Sequence, residues 1–432
     1  MIAPMPIALT NLTRDGWLLF LTRSVRLFAY GSLSVILVFY LVGLGFTETQ
    51  VGLLLTLTLA GDIVISLYLS TRADRIGRRR MLIVGAVLMA GAGLDFACTS
   101  NLLFLIIAGT IGVISPSGNE VGPFLSIEQA ALSHVVSSAT RTEVFAWYTL
   151  AGSLATAAGA LCGGALTQVL QTNAMTAVAS YRVVVISYAV MGVLLAFLFS
   201  RLSCAAEATP AEERSGAQGP VANFLGIHKS RRIILQLSSL FALDSFAGGF
   251  VVQSFAAYWF FLRFGLNPGK LGLIFFWANV FAGISALLAS RLASRIGLIK
   301  TMVVTHLPSN VLLILVPLMP NLPLAVLVLL VRFSISQMDV PTRQSYTVAV
   351  VSPEERSAAG GITGVARTTG AAMSPFFAGL LFSRPALIGV PFFIAGGLKI
   401  VYDLLLYRKF AAIRPHEETP NGSFRSVGEK SN

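Results

Sequence analysis

The sequence predicts an all-α membrane protein with twelve transmembrane helices in two pseudo-symmetric six-helix halves. Three observations support this fold class. Of the 432 residues, 55% are hydrophobic and only 12% are charged, whereas soluble domains carry roughly 25% charged residues. Apolar segments long enough to cross a bilayer recur along the chain. Short motifs of the first half also reappear in the second half.

Twelve apolar segments with few charges are predicted to be spans, because about 20 apolar residues cross a bilayer as a helix. In the first half they cover 17–45, 49–71, 81–99, 102–125, 144–170 and 181–201. In the second half they cover 232–262, 269–291, 301–320, 322–347, 358–383 and 386–407.

Composition divides the chain into four parts. Residues 1–204 and 231–410 are predicted to form the N-terminal and C-terminal six-helix halves. Residues 205–230 contain several Glu, Pro, Gly and Ser, which predicts a cytoplasmic linker. Residues 411–432 are polar and are predicted to form a disordered cytoplasmic tail.

The net charge of +12 comes from short basic bursts between apolar segments. Because these bursts form no stripe on one domain, no nucleic-acid partner is expected. The positive-inside rule places both termini in the cytoplasm. The short loops favour a multi-pass protein of the cell inner (plasma) membrane, with a eukaryotic membrane as the alternative.

Cys98, Cys162 and Cys204 lack metal-ligand spacing, so neither a metal site nor a disulfide is expected.

An internal repeat supports the two halves. The segment from Gly45 to Gly52 parallels the segment from Gly265 to Gly272, at the same place after each half's first span. The segment from Arg72 to Gly77 parallels the one from Arg291 to Gly297. Duplicated halves of this kind are typical of secondary transporters.

The loop after the second span reads Asp74-Arg75-Ile76-Gly77-Arg78-Arg79-Arg80. It resembles the G-x-x-x-D-R-x-G-R-R signature of the major facilitator superfamily, although Ser70 replaces the leading Gly. The resemblance implies a secondary transporter with a gate at this loop. There Asp74 would cap the N-terminus of the eleventh span near Ser357 and would pair with Arg141. A carboxylate at a helix N-terminus stabilises it by about 0.3–1 kcal/mol. The predicted gate residues are Asp74, Arg75, Gly77, Arg78 and Arg141. The alternative is that the arginines only anchor the topology.

Two further segments approximate the G-P-x-x-G-G signature of drug/proton antiporters. In the fifth span Gly159 is followed by Gly163 and Gly164, and in the eleventh Ser374-Pro375 is followed by Gly379. The resemblance implies an exporter. The alternative is ordinary close helix packing at small residues.

Ionisable residues inside spans are costly and indicate function. Asp244 precedes the pair Gly248-Gly249 and is the first choice for a proton-coupling carboxylate. The alternative for Asp244 is a fixed ion pair with Arg23 or Arg26. The predicted proton-coupling residues are Asp244, Asp62, Glu120 and Asp339. Arg367 in the eleventh span, and Lys399 and Asp403 in the twelfth, carry no assigned role.

In the fold that the resemblance implies, the first, fourth, seventh and tenth spans line a central cavity. Arg23 and Arg26 lie on one face of the first span, because they are three residues apart. The candidate substrate-cavity residues are Arg23, Arg26, Tyr30, Arg332, Gln253 and Trp259.

The repeat also aligns Glu128 with Arg343. Opposite charges at equivalent positions could meet when an inner gate closes, so they are predicted to form a pair at the rim between the halves. The alternative is that each is a solvated loop residue.

These observations predict proton-coupled export of small, drug-like organic compounds by alternating access. The alternative is import or exchange of small organic anions by Arg23 and Arg26, since guanidinium groups suit carboxylates. The four histidines are scattered, and no H-E-x-x-H or phosphate-loop motif occurs, so no enzyme activity is expected. The expected partners are a small-molecule substrate and the lipid bilayer. H⁺ is the expected coupling ion, with no other cofactor, and the protein is expected to be a monomer.

Overall fold

The structure, a computed structural model, describes residues 12–120, 122–136, 141–207, 230–352 and 355–410. Within these residues, fifteen α-helices build the two halves. The first half contains α1 (Arg14–Gly43), α2 (Glu48–Ile76), α3 (Arg78–Cys98), α4 (Leu102–Ile111), α5 (Phe124–Val135), α6 (Arg141–Thr172) and α7 (Ala177–Ser200). The second contains α8 (Arg231–Gly249), α9 (Gln253–Phe264), α10 (Pro268–Ile296), α11 (Leu298–Leu315), α12 (Leu322–Ser336), α13 (Asp339–Ala349), α14 (Arg356–Phe382) and α15 (Val390–Phe410).

Ten helical segments of the described chain are long and apolar enough to cross a membrane. Large apolar side chains such as Leu103 and Val193 are more than 60% exposed, which is the surface expected to face lipid. The predicted all-α class is therefore confirmed, and the helices are consistent with twelve spans. Most of the linker predicted at 205–230 and the whole tail predicted at 411–432 lie outside the described residues.

Three of the twelve predicted spans are interrupted rather than continuous. The fourth consists of α4 and α5, the seventh of α8 and α9, and the tenth of α12 and α13. The widest interruption follows Ile111 and includes Pro116, which has no backbone N–H, and Gly118 and Gly122, which have positive φ angles of 71° and 81°. The prediction of one helix over 102–125 was wrong for this reason.

The repeated motifs mark equivalent chain turns. Gly77 and Gly297 end α2 and α10 with φ angles of 114° and 86°. Gly45 and Gly265 follow the first span of each half with φ angles of 97° and 63°. L-residues with a side chain rarely adopt these angles, so the repeat preserves glycine where the backbone must turn.

Helix packing within and between the halves follows the same symmetry. In the first half α1 packs on α6 and α3 packs on α7, and in the second α8 packs on α14 and α11 packs on α15. Between the halves, α2 packs on α14 and α6 packs on α10. We call the membrane side on which α1 begins the terminal side, and the other the distal side.

The inter-half crossings are closest near the distal side. A Cβ atom on Gly52 of α2 would lie 2.4 Å from the carbonyl oxygen of Pro375 on α14. A Cβ atom on Gly164 of α6 would likewise lie 2.4 Å from the carbonyl oxygen of Pro268 on α10. Only a residue without a side chain allows this backbone approach.

Polar and aromatic contacts also join the halves toward the distal side. Tyr258 on α9 donates a hydrogen bond to Glu48 on α2 at 2.8 Å, and its ring meets that of Phe39 on α1. Gln253 donates to Ser34 on α1 at 2.8 Å. Near the terminal side, by contrast, Cβ atoms added to Gly360 or Gly361 of α14 would meet nothing within 4 Å.

Candidate functional site

A charged cluster lies within the first half, between α1 and the fourth span. The Arg26 guanidinium donates two hydrogen bonds to the Glu128 carboxylate, both at 2.8 Å, and a third to Glu120 at 3.0 Å. Arg23 forms a salt bridge with Glu120 at 2.9 Å. Arg26 and Glu128 are fully buried. Two arginines therefore face two glutamates, and the cluster is balanced in charge.

Aromatic and hydroxyl groups complete this first-half cluster. The Tyr148 hydroxyl on α6 donates to Glu128 at 2.5 Å, and Thr22 donates to it at 3.0 Å. The Arg23 guanidinium lies 4.3 Å from the centre of the Tyr148 ring. The lone pairs of Glu128 are thus satisfied by neighbours on two other spans, which is what a buried carboxylate requires.

A second cluster lies within the second half and is centred on Asp244 of α8. The Asp244 carboxylate accepts hydrogen bonds from Lys399 on α15 at 2.5 Å and from Arg343 on α13 at 3.0 Å. Arg343 also forms a salt bridge with Asp339, four residues earlier, at 3.2 Å. All four side chains are buried.

The second-half cluster extends to α11 through His306. Nδ1 of His306 lies 2.8 Å from the Asp403 carboxylate on α15, and Asn310 donates to the same carboxylate at 2.9 Å. Nε2 of His306 lies 3.7 Å from Asp244. His306 therefore lies between two buried carboxylates. Sequence analysis gave no role to His306, Lys399 or Asp403, because the ninth and twelfth spans were not expected to reach the cavity.

Arg332 on α12 and Arg367 on α14 differ from the buried arginines of the two clusters. Within the described chain, neither forms a hydrogen bond or a salt bridge, and the Nε atom of each is buried without a partner. Both side chains are partly exposed, and both lie within electrostatic reach of Asp244 and Asp339. Arg332 was among the cavity candidates, whereas Arg367 was left without a role.

Two predicted pairings of buried charges are not made in this conformation. Glu128 and Arg343 occupy equivalent places in the repeat, and here each pairs inside its own half, with Arg26 and Asp244 respectively. Their predicted meeting on closure of an inner gate stays a prediction. The alternative of two solvated residues was wrong, since their exposed fractions are 0% and 3%. Asp244 likewise pairs with Lys399 and Arg343 rather than with Arg23 or Arg26.

Asp62 and Gln253 support the broken spans. The Asp62 carboxylate accepts a hydrogen bond from the backbone N–H of Gly122 at 2.6 Å and one from Ser66 at 3.1 Å. Gln253 begins α9, donates to Ser34 and accepts from Asn279 on α10 at 3.1 Å. Asp62 therefore holds the interrupted fourth span, and Gln253 links the two halves.

The two aromatic cavity candidates are packed inside their own halves. Trp259 is 1% exposed, and its ring lies 4.9 Å from that of Phe392 on α15 and 5.8 Å from that of Phe264. Tyr30 is fully buried and stacks on Tyr188 of α7 at 6.2 Å. The prediction that Trp259 and Tyr30 line the cavity was wrong for this conformation, because both rings fill helix interfaces.

The residues of the loop signature form hydrogen bonds with near neighbours in the chain. Asp74 accepts a hydrogen bond from Arg78 at 2.8 Å, and Arg141 donates to the carbonyl of Ser133 at 3.1 Å. The expected contact between Asp74 and Arg141 is therefore not made in this conformation. The side chain of Ser357 lies outside the described residues. Arg75 belongs to the last turn of α2, and Gly77 forms the turn into α3.

Glu207 was missed by sequence analysis because it follows the last span of the first half. Its carboxylate accepts hydrogen bonds from the backbone N–H groups of Arg78 at 2.6 Å and Arg79 at 3.2 Å. These groups begin α3, where the helix dipole favours a negative charge. The start of the linker is thus held against the signature loop.

The small residues of the G-P-x-x-G-G-like segments lie at close helix crossings. Cβ atoms on Gly159 and Gly163 would lie 2.0 Å and 2.7 Å from carbonyl oxygens of α1, and Gly164 crosses α10. A Cβ on Gly379 would lie 2.3 Å from the carbonyl oxygen of Glu48. Ser374 donates a hydrogen bond to the carbonyl of Phe246 on α8. These contacts are structural, and they hold whether or not the chain is an antiporter.

Comparison with known proteins decides the family. The model of the Major Facilitator Superfamily matches residues 19–336 and 245–430, which together cover most of the chain. The chain belongs to the Major Facilitator Superfamily. It is thus a member of a family of membrane transporters.

Two kinds of relative agree with this assignment. The uncharacterized membrane protein YJR124C of Saccharomyces cerevisiae is 29% identical over 426 residues, which is 93% of this chain and 95% of the yeast protein. A crystal structure of a mutant nucleoside transporter NupG matches with a TM-score of 0.72 at 14% identity, over 92% of this chain and 100% of NupG. A bacterial homologue of the iron transporter ferroportin, in an inward-facing state, matches with a TM-score of 0.69 at 14% identity, over 91% of this chain and 98% of that one. At such identities the two structures show the shared fold alone.

Proposed function

We propose that this superfamily member is a secondary active transporter that moves a small organic solute by alternating access between its two halves. The observation that carries the proposal is the separation of the two buried charge clusters. Arg26 pairs with Glu128 inside the first half, and Arg343 pairs with Asp244 inside the second. Breaking a buried pair costs about 3–5 kcal/mol. Because each pair stays within its half, the halves can move relative to one another without breaking a buried ion pair.

The contacts between the halves fit such a rocking motion. They gather near the distal side, at the crossings of Gly52 with α14 and of Gly164 with α10. Near the terminal side, Gly360 and Gly361 of α14 are exposed, and an added Cβ would meet no atom of the other half within 4 Å. In our proposal this conformation opens toward the terminal side, which the positive-inside rule makes the cytoplasm.

H⁺ is the coupling ion in this proposal, and the Asp244 cluster is the coupling element. Titratable groups from three helices meet there, namely Asp244 on α8, His306 on α11 and Asp403 on α15. Lys399 and Arg343 supply the opposing positive charges. A buried ionisable network of this kind is the usual place for proton exchange within a membrane protein. Glu120 and Asp339 lie in the two clusters as partners of arginines.

Two classes of cargo are candidates. The segments around Gly159 and Ser374 resemble an antiporter signature, which favours export of drug-like compounds. The guanidinium groups of Arg332 and Arg367, which form no hydrogen bond or salt bridge within the described chain, favour an organic anion. Arg23 and Arg26, which sequence analysis assigned to anion binding, are occupied by Glu120 and Glu128. The monomeric state and the plasma membrane remain part of the proposal, although the relative from yeast adds weight to a eukaryotic membrane.

Coupling is tested with purified protein in proteoliposomes under an imposed pH gradient. Lumenal pH is followed while cationic, neutral and anionic organic solutes are added in turn. We expect at least one solute to trigger proton movement in the wild type, and Asp244→Asn and His306→Gln to abolish it by more than tenfold. Both changes remove a titrating group from the network.

A matched control and a contrary outcome complete that test. Asp95→Asn changes a carboxylate of α3 that takes no part in either cluster, and it should leave the proton signal within twofold. Solute transport without any proton movement would overturn the coupling. Failure of every solute to cross would overturn the transport proposal itself.

A further inference from the structure

The charges of the second-half cluster do not balance. Its carboxylates are Asp244, Asp339 and Asp403, and each already faces a cation or His306. Its cations are four, even with His306 counted as neutral. They are Arg332, Arg343, Arg367 and Lys399. The cluster of the first half, by contrast, matches two arginines with two glutamates.

The excess positive charge belongs to Arg332 and Arg367. Arg343 forms salt bridges with two aspartates, and Lys399 forms one with Asp244. Arg332 and Arg367 form none among the described residues, and their Nε atoms are buried and unbonded. Arginine keeps its proton in proteins, so neither guanidinium group can remove the excess positive charge by becoming neutral.

The two side chains come from helices that frame the same cluster. Arg332 lies on the last turns of α12, immediately before the interruption at Gln337 and Met338. Arg367 lies one turn before Gly370, whose added Cβ would meet the carbonyl of Ala242 on α8 at 2.3 Å. Arg367 is thus on the face of α14 that is turned toward the helix of Asp244. Both side chains remain partly exposed, so a solute can reach them.

We infer that Arg332 and Arg367 form an anion-binding site that takes the carboxylate or phosphate group of the transported solute. The inference rests on the proposed function, because it identifies the chemical class of the cargo. A guanidinium group presents a planar fork of donors that matches these anions in a bidentate manner. A bound anion supplies the missing negative charge, and the charges of the two halves are then both balanced.

Binding is tested on the purified protein by thermal unfolding with three aromatic probes of similar size and different charge, which are benzoate, benzamide and benzylammonium. Citrate and inorganic phosphate extend the anionic set. A ligand that binds the native state and not the unfolded state raises the Tm, and the rise increases with the ratio of its concentration to its Kd. We expect at least one anion to raise the Tm by several degrees, and the neutral and cationic probes to leave it unchanged.

Variants assign the response to the two arginines. Arg332→Gln and Arg367→Gln should each reduce the anion-induced shift by more than half, and the double variant should abolish it. Arg263→Gln removes an exposed arginine at the end of α9 and should keep the full shift. The Tm of each cluster variant without ligand should equal or exceed that of the wild type, because a positive charge without a salt bridge in the described chain has been removed. This ligand-free value separates lost binding from lost folding.

Three results would overturn the inference. They are no response to any anion, an undiminished response in the double variant, and a response to benzylammonium.

An anionic lipid headgroup offers the same chemistry, so the measurement is repeated in nanodiscs of phosphatidylcholine with and without phosphatidylglycerol. Arginine-dependent stabilisation by phosphatidylglycerol, without a response to soluble anions, would reassign the site to lipid. Proton-coupled transport of a cation alone would overturn this inference and leave the transport proposal intact. Anion binding without transport would support this inference and overturn the transport proposal.

Discussion

Replacing Glu128 with glutamine is expected to lower the free energy of unfolding by roughly 3 kcal/mol. The change keeps the shape of the side chain but removes the charge that receives two hydrogen bonds from the buried Arg26 guanidinium. Breaking a buried ion pair costs about 3–5 kcal/mol. We expect the lower end of that range, because Glu120 still faces Arg26 at 3.0 Å. The measurement is thermal or denaturant unfolding of the purified protein in a mild detergent.

The double variant Arg26→Gln with Glu128→Gln should recover much of that loss, because it leaves no buried charge without a partner. Glu143→Gln provides the matched control. Glu143 lies exposed near the start of α6, and its change should stay within about 0.5 kcal/mol. Equal stability of wild type and Glu128→Gln would mean that the buried pair is not formed in the protein.

Replacing Gly164 with valine is expected to reduce transport by more than tenfold, the largest functional effect of any single glycine change proposed for this chain. A Cβ atom at this position would lie 2.4 Å from the carbonyl oxygen of Pro268 and 2.8 Å from the Cα of Gly272. Both contacts are with backbone atoms of α10, which cannot turn aside as a flexible side chain can. The distal crossing between the halves would therefore be unable to close.

The matched change is Gly360→Val on α14, where a Cβ atom would meet nothing within 4 Å. Both variants place valine in a helix, so they share the same small loss of helix propensity. Closure is followed by the accessibility to a membrane-impermeant thiol reagent of a cysteine introduced at Ser34, applied from each side. Gly164→Val should increase labelling from the distal side. Equal labelling and equal transport in the two variants would contradict the role of this crossing in closing the distal side.

Hydropathy and glycine placement predicted the architecture because both are local signals. A bilayer of fixed thickness demands apolar segments of about 20 residues, and these can be counted along the sequence. The repeated glycines at positions 77 and 297 adopt positive φ angles. Such angles favour glycine for local steric reasons, so the sequence alone can reveal these turns. The two halves, their order and the equivalence of their turns therefore followed from the sequence.

The interruptions of the spans could not be predicted in the same way. Non-helical backbone at membrane depth is tolerated only when its polar groups find partners. Here Asp62 accepts from the N–H of Gly122, and the carbonyl of Pro116 accepts from the N–H of Ser254 in the other half. These partners come from positions 60 and 138 residues away in the sequence. No window of neighbouring residues contains that information.

The charged residues show the same division. By itself the sequence placed Arg26, Asp244 and Arg343 within predicted spans and aligned Glu128 with Arg343 in the repeat, because charges within apolar segments are few and easily located. Only the tertiary structure decided which of them pair. It joined Glu128 to Arg26 and Arg343 to Asp244 and brought His306 between Asp244 and Asp403. It also left Arg332 and Arg367 without a hydrogen-bond or salt-bridge partner among the described residues. The physical reason is that an ion pair forms over a distance of about 3 Å, and helix packing alone determines which charges come that close.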